Sequence, residues 1–348
     1  MSEELKVVIA DDSETARQLL KYLVDRSPEM KVIGEAKDGL QAVKMVRSLR
    51  PDVILMDINM PKMDGLEATQ AIMRECPTPI VIISAGIEGR EAEIAFQALR
   101  MGALTVVNKP SIPNSPEQHR QADSLISTVR AMAGVRVIHH HGVRPEMTEA
   151  KKSVALQSPL DAPEIVAIVS STGGPAALSE ILRNLPGDFP LPVVIIQHIA
   201  DDFQPSMIGW LNGSIPLNMK MAEEGEISQA GTVYLAPGGR HLSVTAGKRF
   251  VLVDKPITQH IPSGDVLLES VAVNYKSRAI GVILTGMGSD GARGLAAMYR
   301  AGAYTIAQDE ETSAVFGMPK EAIDLGAARQ VLPITDISGA LIKLCDKD

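Results

Sequence analysis

Two rhythms of apolar residues alternate along most of this chain. Short runs of β-branched and other apolar residues predict strands buried on both faces, and stretches whose apolar positions return every third or fourth residue predict helices with one covered side. Strands are expected at Leu5–Ala10, Met30–Ala36, Val53–Asp57, Pro79–Ser84 and Leu104–Asn108. Helices are expected between and after them at Thr15–Val24, Gly39–Leu49, Leu66–Glu75, Glu91–Met101 and Ser124–Met132. Five strand–helix units in succession predict an α/β domain with a doubly wound parallel sheet.

From Val135 to Pro163 the periodicity fades into Pro, Gly, charges and isolated apolar residues, as in an interdomain segment. His139–His141 within it lack acidic or cysteine neighbours and read as solvated imidazoles rather than metal ligands. The domains are therefore expected at residues 1–134 and 164–348, joined by a linker over residues 135–163. In the second domain, buried strands are expected at Ile165–Val169, Pro192–Gln197 and Ala279–Leu284, and Tyr304–Ala307 with Gln330–Leu332 completes a further strand–helix–strand portion. Thr232–Leu235, then Leu242–Thr245 and Phe250–Val253 around Ala246-Gly247, predict a hairpin excursion, with helices at Val266–Tyr275 and Ala292–Arg300. The whole is a second doubly wound, mostly parallel α/β sheet with a hairpin excursion.

The second domain opens on EIVAIVSSTGGPAALSEILRNL, Glu164–Leu185. After its strand come only Ser170, Ser171, Thr172, Gly173 and Gly174, and then a helix with Pro175 in its first turn and Leu178, Ile181, Leu182 and Leu185 on one face. The glycines permit a tight turn, and the helix start offers unpaired N–H groups to an anion or oxyanion. By itself such a turn is as readily a set of N-caps or a phosphate cradle as a nucleophile site. It matches neither G-x-S-x-G, nor G-x-G-x-x-G, nor a Walker loop.

Composition narrows the classes. With 348 residues, a formal charge of −8 and 22% charged residues, the chain is expected to be a soluble globular protein without nucleic acid as its main partner. Cys76 and Cys345 give no disulfide framework or zinc spacing, which fits a reducing, cytoplasmic setting. The acidic start MSEELKVVIADD is unlike a secretion signal, and no apolar run reaches membrane-spanning length, so any membrane link should run through a partner.

Polar residues stand where the first domain's strands end: Asp11 and Asp12, Asp57, Ser84 and Lys109. The carboxyl ends of such a sheet converge on one crevice. Three carboxylates there repel one another unless a hard cation holds them, which suits Mg²⁺, and Ser84 and Lys109 stand ready for the oxygens of a phosphoryl group on a carboxylate. VVIADDS, VILMDINMPKMDG, IISA and NKP together resemble the receiver domains of two-component response regulators, whose sheet order is 2-1-3-4-5. The resemblance implies that Asp57 accepts phosphate, that Asp11, Asp12, Asp57 and the carbonyl of Asn59 hold Mg²⁺, and that Lys109 pairs with the phosphoryl group before a cis peptide to Pro110. Val106 stands where such domains usually carry an aromatic residue and Thr105 where an acid is common, so no aromatic swing is expected.

In the second domain Ser171, His198 and Asp290 each fall just past a different buried strand, and a parallel sheet would bring them to one rim. A hydroxyl, an imidazole to take its proton and a carboxylate to steady the imidazole make a nucleophilic set. His198 could equally be a buried, backbone-satisfied histidine and Asp290 an N-cap; His241 and His260 are further pocket candidates, and His119 is expected to be exposed. SSTGGPAAL, VVIIQHIADDF, YLAPGGRHL, HIPSGDVLLESVA, ILTGMGSDGARG and QDEETSAVFGMPKEA resemble the catalytic domain of the chemotaxis protein-glutamate methylesterase (CheB) family, and a receiver followed by this domain is that family's architecture.

That resemblance implies a phosphorylation-activated serine hydrolase that releases methanol from glutamate methyl esters and deamidates glutamines on chemoreceptors. It implies Ser171 as nucleophile, His198 as general base, Asp290 as its orienting carboxylate, and Thr172 with the backbone around Met287 as oxyanion donors. No cofactor is implied for the hydrolase step. The implied partners are a histidine kinase and the cytoplasmic helices of chemoreceptors. Ser170, Ala200 and Gly264 stand where the family usually has alanine, proline and valine, and Ser170 leaves two adjacent candidate hydroxyls. The alternative is a phosphorylation-controlled binding or scaffold protein whose second domain holds a phosphate or nucleotide without turnover. A DNA-binding output lacks a basic helix-turn-helix pattern.

Overall fold

The computed structural model describes residues 4–84, 90–110, 115–135, 161–254, 258 and 260–345. The first domain runs β1 (Leu5–Ala10), α1 (Glu14–Asp25), β2 (Met30–Ala36), α2 (Gly39–Leu49), β3 (Val53–Asp57), α3 (Gly65–Glu75), β4 (Ile80–Ser84), α4 (Arg90–Arg100), β5 (Thr105–Asn108) and α5 (Pro116–Ala133). Its strands pair in parallel in the order β2-β1-β3-β4-β5, as the alternation predicted. Every residue of β3 and β4 is buried because helices cover both faces, and that is why these strands read as unbroken apolar runs. Ser13, Asp38 and Asp64 cap α1, α2 and α3 by accepting a backbone N–H three residues on, each contributing about 1 kcal/mol.

The second domain runs β6 (Ile165–Ser170), α6 (Gly174–Arg183), β7 (Val193–Gln197), α7 (Gln204–Asn212), β8 (Asn218–Met221), β9 (Thr232–Leu235), β10 (His241–Val244) and β11 (Phe250–Val253). It continues with α8 (Gly264–Tyr275), β12 (Ala279–Ile283), α9 (Ala292–Arg300), β13 (Tyr304–Gln308), α10 (Met318–Asp324), β14 (Gln330–Leu332) and α11 (Ile334–Cys345). Seven strands form one sheet in the order β14-β13-β12-β6-β7-β9-β8, paired in parallel throughout, and the antiparallel β10–β11 hairpin stands apart from it.

In both sheets the chain works outward to one side and then returns to build the other. The order reverses between β1 and β3 in the first and between β6 and β12 in the second. A crevice opens at the carboxyl ends of the strands on either side of such a reversal, because the connecting helices leave on opposite faces.

Several sequence expectations need correcting. The helix expected from Ser124 begins at Pro116, because Ser115 caps it through the Gln118 N–H and its polar first turns carry no apolar signal. Thr232–Leu235, expected with the hairpin excursion, is β9 of the seven-stranded sheet, because its apolar residues are buried where it pairs between β7 and β8. α7, α10, α11 and the edge strand β8, whose Asn and Lys blur the strand pattern, carry no sequence expectation. The cis peptide among the described residues is Ile261–Pro262; Lys109–Pro110 is trans, the extended course of β5 continuing through Lys109, whose N–H donates to the Ser84 carbonyl at 2.7 Å. Most of the expected linker, His139–His141 included, lies outside the described residues.

The domains meet through α4 and α7. Phe96 of α4 is fully buried, stacked on Trp210 of α7 (centroids 5.3 Å apart, planes at 18°) and edge-on to Phe203 (6.4 Å, 86°). Val315, in the loop between β13 and α10, packs against the apolar cluster that α5 forms with the first sheet. Replacing Phe96 with Ala removes the ring on which this contact turns. Phe96→Ala should enlarge the radius of gyration measured by small-angle X-ray scattering while far-ultraviolet circular dichroism keeps its native shape; an unchanged radius would show that the contact rests elsewhere.

Candidate active site

The turn after β6 is fixed by its backbone before any side chain acts. Ser171 N–H donates to the Thr285 carbonyl at 3.0 Å, and the Ser171 carbonyl accepts from Gly174 N–H and from Gln197 Nε2, each at 2.8 Å. Gln197 Nε2 also donates to the His198 carbonyl at 2.9 Å, so one carboxamide ties the loop after β6 to the loop after β7. Its Oε1 accepts from the Ser170 hydroxyl at 2.7 Å. Ser170 is fully buried and committed to that bond, whereas Ser171 is partly exposed and lines a cavity. The two adjacent hydroxyls are thus distinguished by the alternation of the strand end, which points one inward and the next toward solvent.

Close packing explains the glycines. Gly173 is left-handed at φ +77°, and a Cβ there would lie 2.5 Å from Ala314 Cβ; a Cβ on Gly174 would overlap the Gln197 carboxamide, and one on Gly286 would lie 2.7 Å from Ser171 Cβ. The turn is filled by its own protein and is no open cradle for a phosphate. Gly264, where the resemblance led to valine, is explained likewise: a Cβ there would run into Val169 Cγ1.

Thr285 joins the layers beneath the turn. Its hydroxyl donates to the Thr172 carbonyl at 2.9 Å and accepts from Val315 N–H at 2.9 Å, while its own N–H reaches Gln308 Oε1 at 2.8 Å. Sequence reading passed over Gln197, Thr285 and Gln308. Their one signal is a polar residue at or just past the end of a buried strand.

His198 follows β7, and its Nε2 lies 2.9 Å from Asp290 Oδ2. The ring N–H is not aimed along that line, so the contact is an ion-pair approach that a small rotation of the imidazole turns into a hydrogen bond. Asp290 is buried. Its Oδ1 accepts from Ser263 Oγ at 2.7 Å and Asp265 N–H at 3.2 Å, and its Oδ2 accepts from Gly264 N–H at 2.6 Å. Burial alone would raise its pKa, but His198, the Gly264 N–H and Ser263 together lower it to about 2. His260 stacks on His198 with centroids 5.1 Å apart and planes at 18°. His241, by contrast, is buried in β10, and burial lowers its pKa against the opposing charge of Asp290. His119 is exposed, as expected.

Ser171, Thr172, His198, His260 and Met287 line one cavity of about 440 Å³. Among the described residues the Ser171 hydroxyl makes no hydrogen bond to the imidazole; both face the same space, an arrangement common before substrate aligns the pair. The opposite wall belongs to the first domain and includes Val106, Asn108, Pro110, Leu125 and Thr128. Val106, where an aromatic residue is usual, is therefore part of that cover.

In the first domain, carboxylate oxygens of Asp11, Asp12 and Asp57 lie within 4.8 Å of one another at the crevice between β1 and β3. Lys109 Nζ is 2.6 Å from Asp11 Oδ2 and 3.2 Å from Asp57 Oδ2. Burial raises the pKa of Asp57, with Lys109 working against it and Asp11 adding to it. The Lys109 ammonium, disfavoured by burial, is raised on balance by Asp11 and Asp57. Ser84 is buried at the end of β4, and Asn59 is exposed in the loop after β3. Three hard anionic oxygen donors facing one ammonium leave excess negative charge, and the set is consistent with a Mg²⁺ site.

Comparison with known proteins covers the whole chain. The family described as CheB methylesterase matches residues 166–341, and the response regulator receiver domain matches residues 7–119. The chain is 41% identical over 345 residues to protein-glutamate methylesterase/protein-glutamine glutaminase 4 of Myxococcus xanthus, covering 98% of this chain and 97% of the relative. It is 42% identical over 344 residues to protein-glutamate methylesterase/protein-glutamine glutaminase 1 of Syntrophus aciditrophicus, covering 98% of each. The crystal structure of the Thermotoga maritima CheB methylesterase catalytic domain aligns with a TM-score of 0.51 and 43% identity, over 53% of this chain and 100% of that one.

Two outcomes follow from the geometry. A fluorophosphonate probe should label Ser171, labelling should survive Ser170→Ala, and peptide mapping of the adduct to residue 170 would reverse the assignment. Asp290, lowered from 3.8 to about 2, contributes stability that is present above 3.8 and lost as the pH falls through about 2. In denaturant unfolding, the stability gap between wild type and Asp290→Asn should therefore shrink by about 2 kcal/mol between neutral pH and pH ~2.

Proposed function

The chain belongs to the CheB methylesterase family, and on that footing we propose that Ser171 is its nucleophile, His198 its general base and Asp290 the carboxylate that orients the base. It is a protein-glutamate methylesterase and protein-glutamine glutaminase with a receiver domain, an enzyme of chemotactic adaptation. The supporting observation is the approach of His198 Nε2 to buried Asp290 at 2.9 Å, on the wall of the cavity that Ser171 lines.

Asp290 takes Nε2, which leaves Nδ1 for the serine proton. Ser171 Oγ attacks the side-chain carbonyl carbon of a methylated receptor glutamate as its proton passes to His198. Asp290, ionised at any physiological pH, steadies the imidazolium. Charge on the carbonyl oxygen falls to Thr172 and the Met287 backbone, which sit on the same wall. His198 returns the proton to the departing oxygen and methanol leaves. Water, deprotonated by His198, then cleaves the acyl-serine to give glutamate. With a glutamine side chain the same sequence releases ammonia.

The receiver occupies residues 1–134, the linker residues 135–163 and the hydrolase residues 164–348 in this reading. Asp57 attacks the phosphoryl group of a histidine kinase, and Lys109 and Ser84 receive its oxygens. Asp11, Asp12, Asp57 and the Asn59 carbonyl would hold Mg²⁺, which would supply charge neutralisation for the phosphoryl group when bound. Without phosphate the receiver wall restrains entry to Ser171, which the shared cavity lining supports. The substrates are the cytoplasmic helices of chemoreceptors. Among the described residues no helix is long and apolar enough to cross a membrane, so the enzyme reaches these helices without a helical span among those residues.

Methanol release from methylated receptor membranes tests both halves. Ser171→Ala should abolish release and Ser170→Ala should retain it. Asp57→Asn should remove the stimulation by acetyl phosphate. Stimulation that persists in Asp57→Asn would overturn receiver control, and release that persists in Ser171→Ala would overturn the assigned nucleophile.

A further inference from the structure

The starts of α8 and α9 carry no side-chain cap from their own N-cap residues, Ser263 and Gly291. Each is capped by an aspartate from the other. Asp290, just before α9, accepts the Gly264 and Asp265 N–H groups at the start of α8. Asp265, in the first turn of α8, accepts the Gly291 N–H at 3.0 Å and the Gly294 N–H at 2.9 Å at the start of α9, both on Oδ1. Both aspartates are buried. Gly294 permits the approach, since a Cβ there would lie 2.7 Å from Leu268 Cβ and 3.0 Å from the Asp265 backbone.

Two buried carboxylates this close repel unless each has its own compensation. Asp265 has Arg293, whose Nε and Nη2 reach its Oδ2 at 3.0 and 2.9 Å. Asp290 has the α8 start, Ser263 and, when protonated, His198. With Arg293 drawn to Asp265, the imidazolium is the full positive charge in contact with Asp290 among the described residues. The exchange also fixes Asp290 at two points, the backbone N–H that follows it through Asp265 and its own carboxylate through residues 263–265.

Resting on the triad reading above, we propose that Asp265 is a positioning residue for hydrolysis. Accepting the Gly291 and Gly294 N–H groups and steadied by Arg293, it locks the turn around Asp290 so that the orienting carboxylate meets His198 before substrate arrives. It touches neither substrate nor the imidazole and acts through the turn.

Asp265→Ala frees that turn. The full-length enzyme should lose about 10²-fold in kcat, the scale of a slightly misplaced catalytic group, with KM for methylated receptor membranes unchanged. The acidic limb of the kcat/KM profile should move to lower pH, because an imidazolium without an aligned carboxylate releases its proton more readily. His260 stacks on His198, His241 and Arg293 sense the charge of Asp290, and Glu269 acts on Arg293. His260, His241 and Glu269 stay in place in Asp265→Ala, whereas Arg293 loses its Oδ2 partner; the double variant Asp265→Ala with Arg293→Ala removes that freed charge, so a limb displaced in both variants reports the turn. Asp265→Asn keeps an Oδ1 acceptor for both N–H groups and should recover most of kcat; Arg293→Ala should displace the limb in the same direction by less.

A purely structural role predicts a lower melting temperature with an unmoved limb, and that result overturns the proposal. Should Asp265→Ala not fold, Arg293→Ala decides on the same criterion. Ser171→Ala run in parallel separates the two readings. Residual methanol release there refutes the nucleophile, whereas a dead Ser171→Ala beside unmoved limbs refutes only the role of Asp265.

Discussion

The parallel pairing that seats β6 between β7 and β12 is the constraint on which the rest of this molecule depends. Its register sets Ser170 beside Gln197 and Val169 beside both Ile196 and Ile283, so the residues that follow each strand emerge at one height on one edge. Ser171, His198 and the Thr285–Asp290 loop become neighbours although more than a hundred residues separate the first from the last. Side chains alternate with a period of two along a strand, so a one-residue slip would bury the wrong serine. The receiver uses the same device: Asp11 and Asp57 meet because β1 and β3 flank the reversal of its own sheet.

Around that edge the protein places an unusual density of buried polar groups and leaves few of them to chance. Ser170, Gln197, Thr285 and Gln308 form a chain of hydrogen bonds beneath the turn after β6. Buried polar groups are costly when unpaired and rigid when fully paired. Asp290 stays ionised under burial because His198, the start of α8 and the Ser263 hydroxyl surround it. The ionised state of Asp290 is therefore maintained in part by an element whose evident task is to begin a helix.

Control follows from the same economy of space. The receiver's α4 is anchored by one buried aromatic cluster, and β5 and α5 wall the cavity that holds Ser171. Moving such a cover from 1:99 to 99:1 open requires about 5.5 kcal/mol of differential stabilisation. A single phosphoryl group making a few charge-assisted contacts supplies part of that, which favours graded activation. Val315 adds a second connection, since it packs toward α5 while its N–H bonds the Thr285 hydroxyl that steadies the turn after β6.

The sequence by itself determined the two α/β sheets and the residues at their strand ends, because doubly buried strands and one-faced helices write their environment into consecutive positions. It brought Asp11, Asp57, Lys109, Ser171, His198 and Asp290 into view for the same reason, each being polar where an apolar run stops. Three decisions belonged to the tertiary structure. Only packing could show that Ser170 points inward at Gln197, that His260 rather than His241 stacks on His198, and that Asp265 and Asp290 exchange helix starts. Such contacts join segments far apart in the chain, and no local period records a partner that arrives from another strand.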